Sequence, residues 1–263
     1  MTAAVRMLGV VVLVFLMVPT LIIVPMSLSP ESVLHFPPPG LSWRWYRAFL
    51  TDPDWVAATL FSVQIAALTT VASVLVGTAA SVALVRGRLP GRSVVEALLL
   101  SPLIVPHIVV AIAVYLQFAP LGLTGTIAGF VLIHTALAVP YVVLVVSAGL
   151  QRLPPSLELA GLNLGASRLA CFRQITLPLI LPAVLAGGVF AFLASFDETI
   201  VSFFISGTEH KTVTRKMFED IEFNLSPVIA AASTVFIAVT LLLMVLANAS
   251  QGLAKRMAGK ESA

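Results

Sequence analysis

Six apolar stretches, each long enough to cross a bilayer, run through this chain at roughly 6–27, 56–85, 94–118, 125–149, 178–206 and 227–249. A spanning helix needs about 20 mostly apolar residues, so these stretches dictate an all-α membrane protein with six transmembrane helices, read as one domain over residues 1–263. Composition leaves little else open. Of 263 residues, 59% are hydrophobic and 10% charged, whereas a soluble domain carries roughly 25% charged residues. The chain cannot clothe itself in a polar surface, and its solvent is mostly membrane lipid. A net charge of +3 matters less than where the charges sit, and it gives no case for nucleic acid.

An even number of spans puts both termini on one side, and loops rich in Lys and Arg stay cytoplasmic. With the N-terminus inside, the inner segments hold Arg6, Arg86, Arg88, Arg92, Arg152, Arg168, Arg173, Lys255, Arg256 and Lys260. The outer segments hold only Arg44, Arg47, Lys211, Arg215 and Lys216. Both termini are therefore expected in the cytoplasm. The apolar core from Leu8 to Met26 exceeds the roughly 7–15 residues of a signal peptide core, which makes the first span a retained anchor despite a weak cleavage-like Ser27-Leu28-Ser29.

Between spans, residues 30–55 cluster Trp43, Trp45, Tyr46, Phe49 and Trp55. Amphipathic aromatics favour the membrane–water interface, and 42–51 reads as a short interfacial helix anchored in lipid, with partner docking as the second reading. Pro102, Pro106, Pro140 and Pro182 are expected to interrupt spans, which lipid tolerates only where neighbours re-satisfy the freed backbone groups. Gly125 with Gly129, and Gly187 with Gly188, are candidates for close helix approach. Cys171 is the single cysteine, so no intramolecular disulfide forms, and it reads as a core residue. The mixed-charge segment 207–226 reads as a solvated outer loop.

Catalytic signatures are missing: no H-E-x-x-H, paired C-x-x-C or G-x-S-x-G occurs, and Gly259-Lys260 lacks the remainder of a P-loop. No cofactor is expected in this chain, no metal site, and no enzyme activity. ATP, if used, comes from a partner.

The segment 150–177 interrupts the apolar pattern. Pro154-Pro155 stops what precedes, Ser156 is a plausible N-cap, and Leu157–Leu164 follows as a short helix. Leu157, Ala160, Gly161 and Leu164 fall on one apolar stripe, Leu159 and Leu162 widen it, and Gly165 suits the residue that ends a helix. A second helix is expected over Ala166–Gln174. Exposed leucines on most faces of a helix outside the membrane call for burial against another protein or the bundle itself.

Gly165 followed after nine residues by Ile175-Thr176-Leu177-Pro178 resembles the second half of the EAA motif. That motif belongs to the membrane subunits (permeases) of ATP-binding-cassette importers, and "PPSLELAGLNLGAS" resembles their cytoplasmic coupling helix. The resemblance covers nearly the whole chain. Aligned on Gly165, the motif's Glu-Ala-Ala falls on Leu159-Ala160-Gly161, and the acid often found two before the glycine is Asn163. Glu158 lies one residue before the expected glutamate, about 100° away round the helix. The resemblance implies a type I importer permease bundle in the bacterial plasma (inner) membrane. It further implies ATPase coupling through Ser156, Leu157, Glu158, Ala160, Gly161, Leu164 and Gly165. Expected partners are an ATP-binding-cassette ATPase dimer holding ATP and Mg, a second permease subunit that is a related different chain, and an extracytoplasmic solute-binding protein.

Asp197 and Glu198 lie within the apolar run from Leu179 to Ser206. Ionisable residues at membrane depth are costly and usually face a cavity, although pairing with a neighbouring cation is the plainer reading. Together with "TIVSFFISG" they resemble the polyamine-type (spermidine/putrescine) permeases, which implies a small cationic solute. An amino-acid-like solute is the alternative within the family, and a stand-alone secondary transporter lies outside it. The pathway candidates are Asp197, Glu198, His107 and Tyr141. Glu96, Tyr115 and His134 are weaker, and a lone intramembrane histidine such as His134 reads first as a hydrogen bond to a neighbouring helix.

Overall fold

The computed structural model describes residues 3–207, 210–223 and 226–260, with side chains described from Val5 to Val245 within those ranges. Glu209, one acid of the mixed outer segment, lies outside the described residues. Among the described residues twelve α-helices follow one another: α1 (Ala3–Ser27), α2 (Arg44–Thr51), α3 (Pro53–Arg86), α4 (Arg92–Leu100), α5 (His107–Phe118), α6 (Ile127–Arg152), α7 (Pro155–Asn163), α8 (Arg168–Cys171), α9 (Leu177–Phe196), α10 (Ile200–Ile205), α11 (Val213–Phe223) and α12 (Val228–Lys260). Among the described residues five stretches are long and apolar enough to cross a membrane, and the bent pair of α4 and α5 makes a sixth if it is one span. The chain folds as two compact units, Met1–Thr59 with Arg215–Leu241, and Leu60–Thr214 with Leu242–Ala263.

In the first unit, α1 leaves its apolar side chains exposed from Val5 through Val18, as a lipid-facing helix does. A short helix, α2, stands where one was expected at 42–51. Trp45 and Phe49 are buried, while Trp43 stays 71% exposed. The Trp45 indole N–H donates to the Glu31 carbonyl (3.1 Å), and the Tyr46 hydroxyl lies 2.6 Å from that of Ser27. Phe49 packs edge-on against Trp55 and Phe236. Along α11, Arg215 pairs with Glu219 and Lys216 with Asp220 across one turn.

In the second unit, α6 is the hub. Near its start, Phe130, Ile133 and Leu137 pack with Phe61 and Ile65 of α3, Ala111 of α5, and Val201 and Ile205 of α10. Further along, Val142, Val146 and Leu150 meet Ile180, Val184 and Ala191 of α9. Lipid gives apolar helices no hydrophobic reason to associate, so close van der Waals packing over small residues takes that role. A Cβ at Gly77 would fall 2.7 Å from the Val142 Cβ, and one at Gly187 would fall 3.3 Å from the Val142 Cα. Gly187-Gly188 thus acts as expected. Gly125 and Gly129 do not join two helices. Gly125 sits in the turn before α6 and donates its N–H to the Ile205 carbonyl (2.7 Å), while Gly129 donates to the Thr126 hydroxyl that caps α6 (3.0 Å).

The expected span 94–118 is not one straight helix. It breaks through a 3-10 turn at Ser101–Leu103 and bends by 96° before α5, because Pro102 and Pro106 remove two backbone donors in succession. Pro140 and Pro182, by contrast, lie inside continuous helices. Packing on both sides of Pro140, by Leu137 and Val142, holds α6 together across the missing bond. The run 178–206 is also divided, since α9 ends at Phe196 and α10 starts at Ile200. The expected separate helix over Ala166–Gln174 is continuous with this span. It starts at α8, capped by the Ser167 hydroxyl (3.2 Å), and passes through a π-helical turn at Phe172–Thr176 into α9.

Candidate functional site

Two places gather the residues singled out from the sequence. The first is α7. Its N-cap is Pro154 and its first helical residue Pro155, not the expected Ser156 cap; proline's fixed φ and missing N–H suit that first position. Ser156 is an exposed residue of the first turn. The predicted stripe divides. Leu157 (43% exposed), Ala160 and Leu164 (90%) face outward with Leu159. Gly161 is buried, where a Cβ would fall 2.8 Å from Ile175 and 2.9 Å from the Cys171 sulfur. Glu158 also turns inward, accepting from the Arg86 guanidinium Nε (3.1 Å) and the Thr176 hydroxyl (3.0 Å). The helix ends as expected at Gly165, φ +88°. The Gly165 N–H donates to the Leu162 carbonyl (3.0 Å) and the Ala166 N–H to the Gly161 carbonyl (3.1 Å), the bond pair of a Schellman motif. Leu164, next to that turn, therefore presents the most exposed large apolar side chain of the segment.

The second place is the break at 197–199. Glu198 is buried and its two oxygens are used: one accepts the Val201 N–H (2.9 Å), satisfying an otherwise orphaned donor at the start of α10. The other meets His107 Nδ1 at 2.8 Å. The Glu198 carbonyl accepts from the Thr214 hydroxyl (3.2 Å). One carboxylate thus joins the first residue of α5 to the first turn of α10, tying together two broken spans. Asp197, its neighbour, is exposed. It engages through its backbone, donating to Leu193 (3.0 Å) and accepting from the Thr199 hydroxyl (3.2 Å), so its carboxylate has no partner among the described residues.

His134 reads as the sequence suggested, as a helix-to-helix hydrogen-bonding residue. It lies between the hydroxyls of Ser195 (Nδ1–Oγ 2.8 Å) and Ser202 (Nε2–Oγ 3.2 Å), bridging α9 and α10 across the break. Tyr141 sits half-buried two turns along α6 from His134 and bonds to neither acid. Glu96 is exposed on α4 and Tyr115 on α5. Sequence reasoning missed Arg86, Thr176, Ser195, Ser202 and Thr214. Of these Arg86 carried a signal as the first charge after an apolar run, and Thr176 and Ser202 lie in motif stretches that pointed to the family without naming their partners. Among the described residues no group of three or more His, Cys, Asp or Glu could hold a metal ion.

A family model described as binding-protein-dependent transport system inner membrane component matches residues 73–257. The chain is 30% identical over 239 residues to the spermidine/putrescine transport system permease protein PotC of Haemophilus influenzae, covering 90% of this chain and 92% of that one. It is 32% identical over 231 residues to the putrescine transport system permease protein PotI of Escherichia coli K12, covering 85% and 82%. Its fold matches a chain of a bacterial alginate ABC transporter, solved in complex with a pentasaccharide-bound periplasmic protein, at a TM-score of 0.68 and 13% identity over 97% and 94% of the two chains. With this helical bundle and the EAA-like turn at Gly165, the chain belongs to the family of binding-protein-dependent transport system inner membrane components, the permease subunits of ATP-binding-cassette importers.

Proposed function

We propose that this permease admits a small polycationic solute of the polyamine class and is driven through the outer face of α7 by a separate ATPase. The single observation that carries the solute class is the exposed carboxylate of Asp197, without a partner among the described residues, beside a helix break. An unpaired carboxylate attracts an ammonium group strongly where solvent screening is reduced. The likeness to a spermidine/putrescine permease and a putrescine permease at 30% and 32% identity supports the same class. Glu198 has a different part: held by His107 and the α10 backbone, it sets the shape of the break and places Asp197. Tyr141 remains a pathway candidate on α6.

Binding of ATP and Mg by the partner closes its two subunits and pushes on Leu157, Leu159 and Leu164; the push re-aims the bundle from inward- to outward-facing, and hydrolysis resets it. Residues of this chain transmit and orient; covalent chemistry is the partner's. The excess of Lys and Arg in the segments flanking α7 and in the C-terminal tail supports cytoplasmic termini. A second permease subunit completes the pathway, and an extracytoplasmic protein delivers the solute; the alginate transporter of similar fold was solved in complex with a pentasaccharide-bound periplasmic protein.

Uptake of labelled putrescine by the native host tests this reading. Deleting this chain abolishes saturable uptake, excess spermidine competes, and a neutral diol of the same length does not. Undiminished putrescine uptake after deletion, with loss of uptake for an amino acid instead, overturns the polyamine assignment in favour of the amino-acid-like alternative.

A further inference from the structure

α7 has nine residues, too few to stand as a helix on its own. Its downstream link, Gly165 to Ser167, turns through a left-handed glycine. A push on α7 that travelled along the chain alone would be lost in that turn. The structure gives it another route.

Arg86 is the last residue of α3, and of the three arginines from there to the start of α4 it alone is turned inward, with Arg88 and Arg92 exposed. Its Nε donates to Glu158 Oε1 (3.1 Å). Its Nη2 donates to the carbonyls of Leu150 (3.0 Å) and Leu153 (2.7 Å), which lie where α6 runs out of intrahelical donors. The same Glu158 oxygen accepts from Thr176 (3.0 Å), in the π-helical turn that leads into α9. The Cys171 thiol donates to the Glu158 carbonyl (3.8 Å). Gly161 keeps α7 flush against Cys171 and Ile175, so Glu158 can reach. Both charged side chains are about four-fifths covered, at 17% and 21% exposure. Single π-helical turns inside helices are rare and concentrate at functional positions.

We propose that Arg86 is a positioning residue for coupling: with Glu158 and Thr176 it forms a polar joint that carries a displacement of α7 into the ends of α3, α6 and α9. One planar guanidinium holds three acceptors on two helix ends at once, a geometry that a lysine ammonium on a flexible stem does not reproduce. The proposal rests on the reading of α7 as the ATPase contact.

The test is made on the whole importer, purified with its ATPase and solute-binding protein and reconstituted in vesicles. Putrescine uptake and ATP hydrolysis are measured together, with the amount of ATPase bound per permease. Arg86→Gln is expected to lower solute moved per ATP hydrolysed about tenfold, the loss of charge-assisted bonds. KM for putrescine and the bound ATPase stay at wild-type values. Arg86→Lys recovers only part of the loss. Arg86→Gln combined with Glu158→Gln is no worse than the worse single variant, because both break one joint. Thr176→Val, which removes one hydroxyl without changing shape, lowers the ratio about twofold and serves if Arg86→Gln fails to assemble. Wild-type solute per ATP in Thr176→Val and in any assembled Arg86→Gln overturns the joint. An importer assignment that is itself wrong shows differently, as no ATP-dependent uptake by the wild-type vesicles, and removes the proposal with it.

Discussion

Gly165→Pro is expected to abolish transport while leaving the protein in the membrane. Gly165 has φ +88°, and proline is locked near −65°, so the turn that ends α7 cannot form. Two further losses follow. The Gly165 N–H that donates to Leu162 disappears, and the residue before a proline is driven out of helical conformation, displacing Leu164. Gly165→Ala is the calibrating variant. Nothing lies within 4 Å of a Cβ at this position, so its cost is the backbone's alone, about 1–2 kcal/mol for a left-handed L-residue. Transport should therefore fall modestly in Gly165→Ala and below detection in Gly165→Pro, measured as putrescine uptake per membrane-inserted permease. Equal, wild-type uptake in both would remove α7 from the coupling path.

Asp197→Asn is expected to lower kcat/KM for putrescine by about tenfold or more. Removing one charge from contact with an ammonium costs about 1 kcal/mol in bulk water and about 4 kcal/mol at the effective dielectric near a protein surface, and each 1.4 kcal/mol is tenfold. The exposed carboxylate has no partner to orphan among the described residues, so the folded protein should tolerate the change. Glu198→Gln acts differently. Its two oxygens serve His107 and the Val201 N–H, and an amide offers one acceptor in place of two. The cost falls on the folded state, about 1–3 kcal/mol for the unsatisfied group, and should appear as a lower unfolding temperature in detergent. The contrast is the informative result: a transport defect with normal stability for Asp197→Asn, and a stability defect for Glu198→Gln. Unchanged uptake kinetics in the double variant would return both acids to a structural role.

The helical membrane class, the apolar spans, the short helix near 42–51 and the glycine stop at Gly165 were legible in the sequence because each rests on local pattern: hydropathy over about 20 residues, or one residue's backbone preference. What pattern could not reach was the pairing of residues far apart. Glu198 meets His107, and Glu158 meets Arg86 72 residues away; periodicity says nothing of such partners. The inward turn of Glu158 and Gly161 split a stripe whose spacing looked uniform, since spacing fixes a face but not what covers it. Gly125 and Gly129 have the spacing of a helix-packing pair, but Gly125 lies in a turn before the helix begins. Pro140 and Pro182 were expected to break helices that tertiary packing keeps whole, while the paired Pro102 and Pro106 do break theirs.

The most direct measurement places a photo-reactive benzoylphenylalanine at position 164, where Leu164 is 90% exposed, and irradiates intact membranes of the native host. The account predicts a crosslink to a chain identified by mass spectrometry as an ATP-binding-cassette ATPase, with a second permease co-purifying in mild detergent. Crosslinks to lipid alone, from a permease that purifies without an ATPase, would contradict the claim that α7 is where this chain receives its driving force.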